Sequence, residues 1–194
     1  FFKELREIAN ENDIMLIYDE VQTGIARTGK WFAYQYNQIT PDVCTLAKGL
    51  GNGMPIGACI AKGKAAKLLT AGKHGSTFGG NFLSCRVALT VLETIETEHI
   101  CEQAYDKGIA INQAFSHALK ENKHIVNIRN KGMMIGIELD MPCTELVQVA
   151  LEAHLLINVT NQSTIRLLPP LIMTDAQIKL LVETLSAVIN QFTK

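Results

Sequence analysis

The chain has 194 residues, 47% of them hydrophobic and 19% charged, with a formal net charge of −1. That composition supplies a core for one large or two small domains. It excludes the basic stripe of a nucleic-acid binder and the polybasic patch of a membrane-surface protein, which leaves small-molecule chemistry as the expectation. The five cysteines, Cys44, Cys59, Cys85, Cys101 and Cys143, lack any Cys-x-x-Cys spacing and mostly lie in apolar runs. They read as buried free thiols in a reducing, cytoplasmic setting. No apolar run approaches the roughly 20 residues that span a bilayer.

Residues 1–11 have helical spacing with no Ser, Thr, Asp or Asn in front of them. The chain therefore reads as starting inside a helix, with an amino-terminal part preceding Phe1. Turn-favouring residues follow, and residues 14–18 read as a continuous apolar, buried parallel strand that ends at Asp19 and Glu20. In an open α/β sheet, ligands collect at such carboxyl ends. A glycine-bearing loop (23–30), a short aromatic helix (31–36) and a turn at Pro41 lead to a second strand over 43–47, just before Lys48. The glycines from Gly49 to Gly57 leave little room for helix and let backbone approach a ligand.

A strand over 58–61 and a helix over 62–69 come next, then a second glycine-rich loop at 74–81. It feeds helices over 82–97 and 100–122. Beyond them the pattern turns to β, with strands at 125–129 and 133–139 around a turn at 130–132. A helix at 143–154, strands at 156–159 and 164–167 and a helix at 174–193 complete the chain. Strict strand-helix alternation is lost in the second half, which predicts an α/β first domain over 1–97 and a smaller α+β domain over 98–194.

Asp19 alone reads as a loop-capping carboxylate, and Lys48 alone as a solvated lysine before glycines. At the ends of two short apolar strands they fit a sharper reading. Pyridoxal phosphate needs an amine for its aldehyde and an acid for its ring nitrogen.

Five stretches in register carry a family resemblance: Leu16-Ile17-Tyr18-Asp19-Glu20-Val21-Gln22-Thr23-Gly24, Arg27-Thr28-Gly29-Lys30, Leu46-Ala47-Lys48-Gly49-Leu50, Pro55-Ile56-Gly57-Ala58 and His74-Gly75-Ser76-Thr77-Phe78-Gly79-Gly80-Asn81. Together they resemble the later half of a class III, fold-type I, pyridoxal-phosphate-dependent aminotransferase. The resemblance implies a fold in which a large mixed-sheet cofactor-binding domain is followed by a smaller α+β domain. It implies that Lys48 bonds the cofactor and moves a proton at the substrate Cα, and that Asp19 keeps the ring nitrogen protonated. Gln22 would donate to the cofactor's phenolic oxygen; the plain alternative is a loop amide facing water. Thr77 would bind the cofactor phosphate of the neighbouring subunit in a homodimer; the alternative is a hydroxyl capping the next helix. Arg166 would hold the substrate's α-carboxylate, or else pair with a structural carboxylate.

Residues 156–160 and 165–171 resemble the branch of the family that acts on N-acetylornithine. They imply transfer of an ω-amino group from an ornithine-type donor to 2-oxoglutarate, within arginine biosynthesis. Ornithine, succinylornithine and 4-aminobutyrate are the alternative donors. Three positions depart from the family pattern: Ala26 and Asn52 where glycine is common, and Phe82 where proline is common. The ring-stacking aromatic, the main phosphate loop and a substrate-gating glutamate of the family all precede this stretch.

Other chemistries fit less well. Residues 24–30 have phosphate-loop spacing, but Trp31 stands where a hydroxyl must meet the metal. His74, His99, His117, His124 and His154 form no His-x-x-x-His pair, so no metal is expected. Ser76 and Ser84 lack a Gly-x-Ser-x-Gly elbow. A non-enzymatic piece carrying only folding and dimer information is the remaining alternative of a different class.

Overall fold

The structure is a computed structural model that describes residues 1–194. The chain divides into two compact units, Phe1–Cys101 and Glu102–Lys194.

In the first unit, α1 (Phe2–Glu11) precedes β1 (Ile17–Asp19), β2 (Val43–Leu46) and β3 (Ala58–Ala61). The sheet order is β1-β2-β3, with β1 and β2 parallel and β2 and β3 antiparallel. It is a mixed sheet, as the family resemblance implies. Asp42 ties its start together: the carboxylate accepts from the Leu16 backbone N–H at 2.8 Å and from Arg6 Nη1 at 2.7 Å. These bonds hold the Asp42 carboxyl below its ordinary range, the backbone donor first and the guanidinium second.

Two expectations are corrected here. β1 is not buried, because it is an edge strand and Ile17 is 59% exposed. Residues 62–69 do not form an α-helix, and only a short 3-10 turn, Ala65–Lys67, appears. The stretch is almost wholly exposed, so it lacks the buried face that stabilises short helices. α2 (Phe82–Thr97) begins where expected because the Asn81 side chain accepts from the Ser84 N–H at 2.9 Å.

The second unit builds a four-stranded antiparallel sheet, order β4-β5-β7-β6, from β4 (Ile125–Lys131), β5 (Met134–Leu139), β6 (Asn158–Thr160) and β7 (Thr164–Leu167). Ile135, Ile137 and Leu139 of β5 and Ile165 and Leu167 of β7 alternate inward, as a half-buried sheet requires. They pack with Ile111 and Phe115 of α3 (Ile100–Ala118), Leu146 of α4 (Leu146–Glu152) and Leu185 and Ile189 of α5 (Asp175–Phe192) in one core. α5 opens on a capping box between Thr174 and Gln177. Two glycines set a close approach: a Cβ on Gly108 of α3 would lie 2.1 Å from the Gly132 carbonyl oxygen. Gly132 begins the two-residue β4-β5 turn with φ of 53°, which glycine adopts without strain.

No helix is long and apolar enough to cross a membrane. The five cysteines form no disulfide, but only Cys44 and Cys143 are buried, so the expectation of mostly buried thiols is corrected.

Candidate active site

Asp19 closes β1, and the parallel register sets it directly against Thr45 of β2. Thr45 Oγ1 donates to Asp19 Oδ1 at 3.1 Å, and the Val21 backbone N–H donates to the same oxygen at 3.1 Å. The carboxylate itself is solvent-exposed. Strand alternation turns the next residue to the other face, and Glu20 is 3% exposed. Its carboxylate accepts from the Tyr34 backbone N–H at 2.9 Å and from the Thr23 hydroxyl. Its carbonyl accepts from Gly24 N–H at 2.9 Å. Glu20 thus organises the whole loop that follows Asp19, a role absent from the sequence reading. Burial, followed by the Glu20 charge, pushes the neighbouring Cys44 thiol up to about 11.

Lys48 lies three residues beyond Thr45, the register partner of Asp19, so both functional candidates stand at the same end of adjacent strands. The lysine has φ of 46°, in the left-handed region that L side chains avoid. Its carbonyl accepts from Gly51 N–H at 3.1 Å and Asn52 N–H at 3.2 Å, which closes the turn around it. Only glycine fits at Gly51, because a Cβ there would sit 2.0 Å from the Met54 carbonyl oxygen. Strain of this kind is retained where surrounding structure fixes it, typically at functional sites. The side chain is exposed. Two of the family departures have a geometric meaning: Ala26 has φ of 65° and Asn52 φ of 44°, conformations in which glycine carries no steric cost.

Gln22 is half-buried in the loop after Asp19. Thr77 is exposed in the loop before α2, and no hydrogen bond joins it to Asp19, Gln22 or Lys48. Its helix-capping alternative is ruled out, since Asn81 makes that cap.

Arg166 belongs to the second unit. The register Arg129–Gly136–Arg166 runs across β4, β5 and β7 on the face opposite the core. Gly136 carries no side chain, and the two arginines, with Met134, Thr160 and Thr164, line an open cleft of about 330 Å³. Arg129 pairs with Glu138. Arg166 Nε is buried with no hydrogen-bond partner, so its structural-carboxylate alternative loses support.

The donors of the first unit fit a pyridoxal-type cofactor: an exposed amine on a constrained turn and a carboxylate with one oxygen held and the other open. The second unit separately holds a guanidinium nitrogen unsatisfied and suited to an anion. The class-III aminotransferase family matches residues 1–189, and the chain belongs to that family. It is 48% identical over 192 residues to the acetylornithine aminotransferase of Nitrosomonas europaea, covering 99% of this chain and 49% of that protein. Among solved structures, acetylornithine aminotransferase from Elizabethkingia anophelis superposes with a TM-score of 0.88 at 34% identity, covering 98% of this chain and 49% of that one. An ornithine aminotransferase from Toxoplasma gondii, whose active site holds PLP at partial occupancy, gives 0.89 at 30%, covering 100% and 48%. The chain spans about half the length of the curated relatives it matches.

Proposed function

We propose that this chain carries the cofactor-bonding half of a pyridoxal-phosphate-dependent aminotransferase that moves the ω-amino group of N-acetylornithine to 2-oxoglutarate, in arginine biosynthesis. Residues 1–97 are then the later part of the cofactor-binding domain and residues 98–194 the small domain. The observation that carries the reading is the parallel register of β1 and β2, which sets Asp19 and Lys48 at one end of two neighbouring strands. Donor preference for N-acetylornithine is supported by the 48% identity to the Nitrosomonas enzyme.

Pyridoxal phosphate, when bound, supplies an electron sink for the charge left as a proton departs the substrate carbon that bears the reacting amine. Lys48 Nζ would hold the cofactor through its aldehyde carbon and, once the substrate amine has displaced it, the freed amine would take that proton as general base. The free Asp19 Oδ2 accepts from the ring nitrogen. The Gln22 amide donates to the phenolic oxygen. Arg166 forks the substrate α-carboxylate, which satisfies its unpartnered Nε. Thr77, with no competing role at the α2 cap, reaches the phosphate of a second copy of the chain in a cytoplasmic homodimer.

Borohydride reduction of the cofactor-loaded protein followed by peptide mass mapping tests this. The expected result is a reduced cofactor adduct on Lys48, absent in Lys48→Ala. An adduct on any other lysine, or none, overturns it. Comparing kcat/KM for N-acetylornithine and ornithine decides the donor.

A further inference from the structure

Both hydrogen bonds to the Asp19 side chain end on one atom. Oδ1 accepts from Thr45 Oγ1 at 3.1 Å and from Val21 N–H at 3.1 Å, and no donor reaches Oδ2. An aspartate held by one bond swings about its χ angles; one held from two directions at a single oxygen has its plane and its open lone pairs fixed. The two donors differ in kind. The Val21 amide belongs to the loop that Asp19 itself begins, whereas Thr45 reaches from the neighbouring strand and ties the carboxylate to the sheet.

Thr45 is itself well anchored. Its backbone carbonyl accepts from Glu20 N–H at 3.0 Å, and its strand is paired on both sides, with β1 and with β3. Branching at Cβ limits its χ1, so the hydroxyl is delivered in one direction. Lys48 lies three residues further along the same strand end. One short segment therefore positions the acid through Thr45 and presents the amine at Lys48.

We propose that Thr45 is the positioning residue for Asp19: its hydroxyl pins Oδ1, so that Oδ2 is the oxygen offered to the ring nitrogen of the cofactor. This rests on the pyridoxal-phosphate reading of the site. The plain alternative is that Thr45 only supports packing between β1 and β2. The two differ in what the hydroxyl does once Asp19 is gone.

The test is a double-mutant cycle on the holoenzyme, read by the cofactor dissociation constant and by the pH midpoint of the cofactor's visible absorbance. Thr45→Val keeps the shape and removes the donor. A hydrogen bond to a charged group of the usual strength predicts that the dissociation constant rises roughly tenfold or more and that the spectral midpoint moves. Thr45→Ser restores both values. In an Asp19→Ala background Thr45→Val has no further effect on the dissociation constant.

An unchanged constant and midpoint in Thr45→Val overturns the inference. So does failure of Thr45→Ser to rescue, or an equal loss in the Asp19→Ala background, since either assigns Thr45 to packing. Should Thr45→Val not fold, Thr45→Ala takes its place in the same cycle. Absence of the visible band in the unaltered protein refutes the cofactor reading itself, whereas a normal band with an indifferent Thr45→Val refutes only the role of Thr45.

Discussion

The two units divide stability and chemistry unequally. In residues 102–194 the large apolar side chains turn inward: Phe115, Ile111, Ile137, Leu185 and Ile189 are fully buried in one core. In residues 1–101 many turn outward, with Phe78 81% and Phe82 94% exposed. Half of its buried apolar side chains are small, namely Ala9, Ala26, Ala65, Ala88 and Cys44, and no aromatic ring is among them. Where such side chains form a contiguous patch, it marks a site of contact with more protein. Yet that unit holds Asp19 and Lys48, on loops and strand ends, and carries backbone in the left-handed region at Ile25, Ala26, Lys48 and Asn52. The packed unit carries Arg166 on a regular strand of an open sheet. Left-handed backbone occurs there too, at His154, Asn161 and Gln162, so what separates the two units is how fully their apolar side chains are covered.

The largest effect that would test this contrast is in the packed unit. Phe115→Ala leaves a cavity among Ile111, Leu185 and the β5 side chains, and is expected to cost about 3–5 kcal/mol. Hydrogen exchange should show β4, β5 and β7 losing protection. Trp31, the single tryptophan, lies in the first unit and should report no matching loss. A Trp31 transition that shifts equally would show that the units are not separate in stability.

An intermediate effect is electrostatic and belongs to the first unit. The Leu16 N–H and the Arg6 guanidinium lower the Asp42 carboxyl. A depressed folded value contributes stability that is complete above the unfolded value of about 3.9 and is lost as pH falls through the folded one. Acid titration followed by Trp31 fluorescence should therefore show a limb below about pH 4 that Asp42→Asn flattens. An identical acid limb in the variant would remove Asp42 as a fastener of α1 to the sheet.

Much of this was legible in sequence where a local signal and the tertiary outcome agree. Asn81 and Thr174 announce helix starts through side chains that do cap them. β3 and β7 follow their apolar runs, and Lys48 stands just past the end of β2, before a run of glycines. Features that depend on register or on distant neighbours were not legible. Thr45 gains meaning only from facing Asp19 across two strands, and Gly108 only from the Gly132 carbonyl beside it. The exposed edge of β1 and the missing helix at 62–69 fail for a related reason. An apolar run shows that a surface can be buried, and something else must lie across it.

The smallest effect tests the idea that the first unit holds strain for the sake of its chemistry. Lys48 has φ of 46°, and a non-glycine residue in that region costs about 1–2 kcal/mol relative to the right-handed one. Lys48→Gly removes that cost, offset in part by the greater freedom of glycine in the unfolded chain. The net gain should be about 0.5–1 kcal/mol, or a few degrees in the Trp31 melting midpoint of the cofactor-free protein. Asn52→Gly relieves the same geometry next door, but asparagine already tolerates it, so its gain should be smaller. A Lys48→Gly protein that is more stable and no longer bonds the cofactor would show function retained at the expense of stability. If its midpoint is unchanged or falls while that of Asn52→Gly rises, the lysine turn is held without strain, and the conformation at Lys48 is not what distinguishes the loosely packed unit from the packed one.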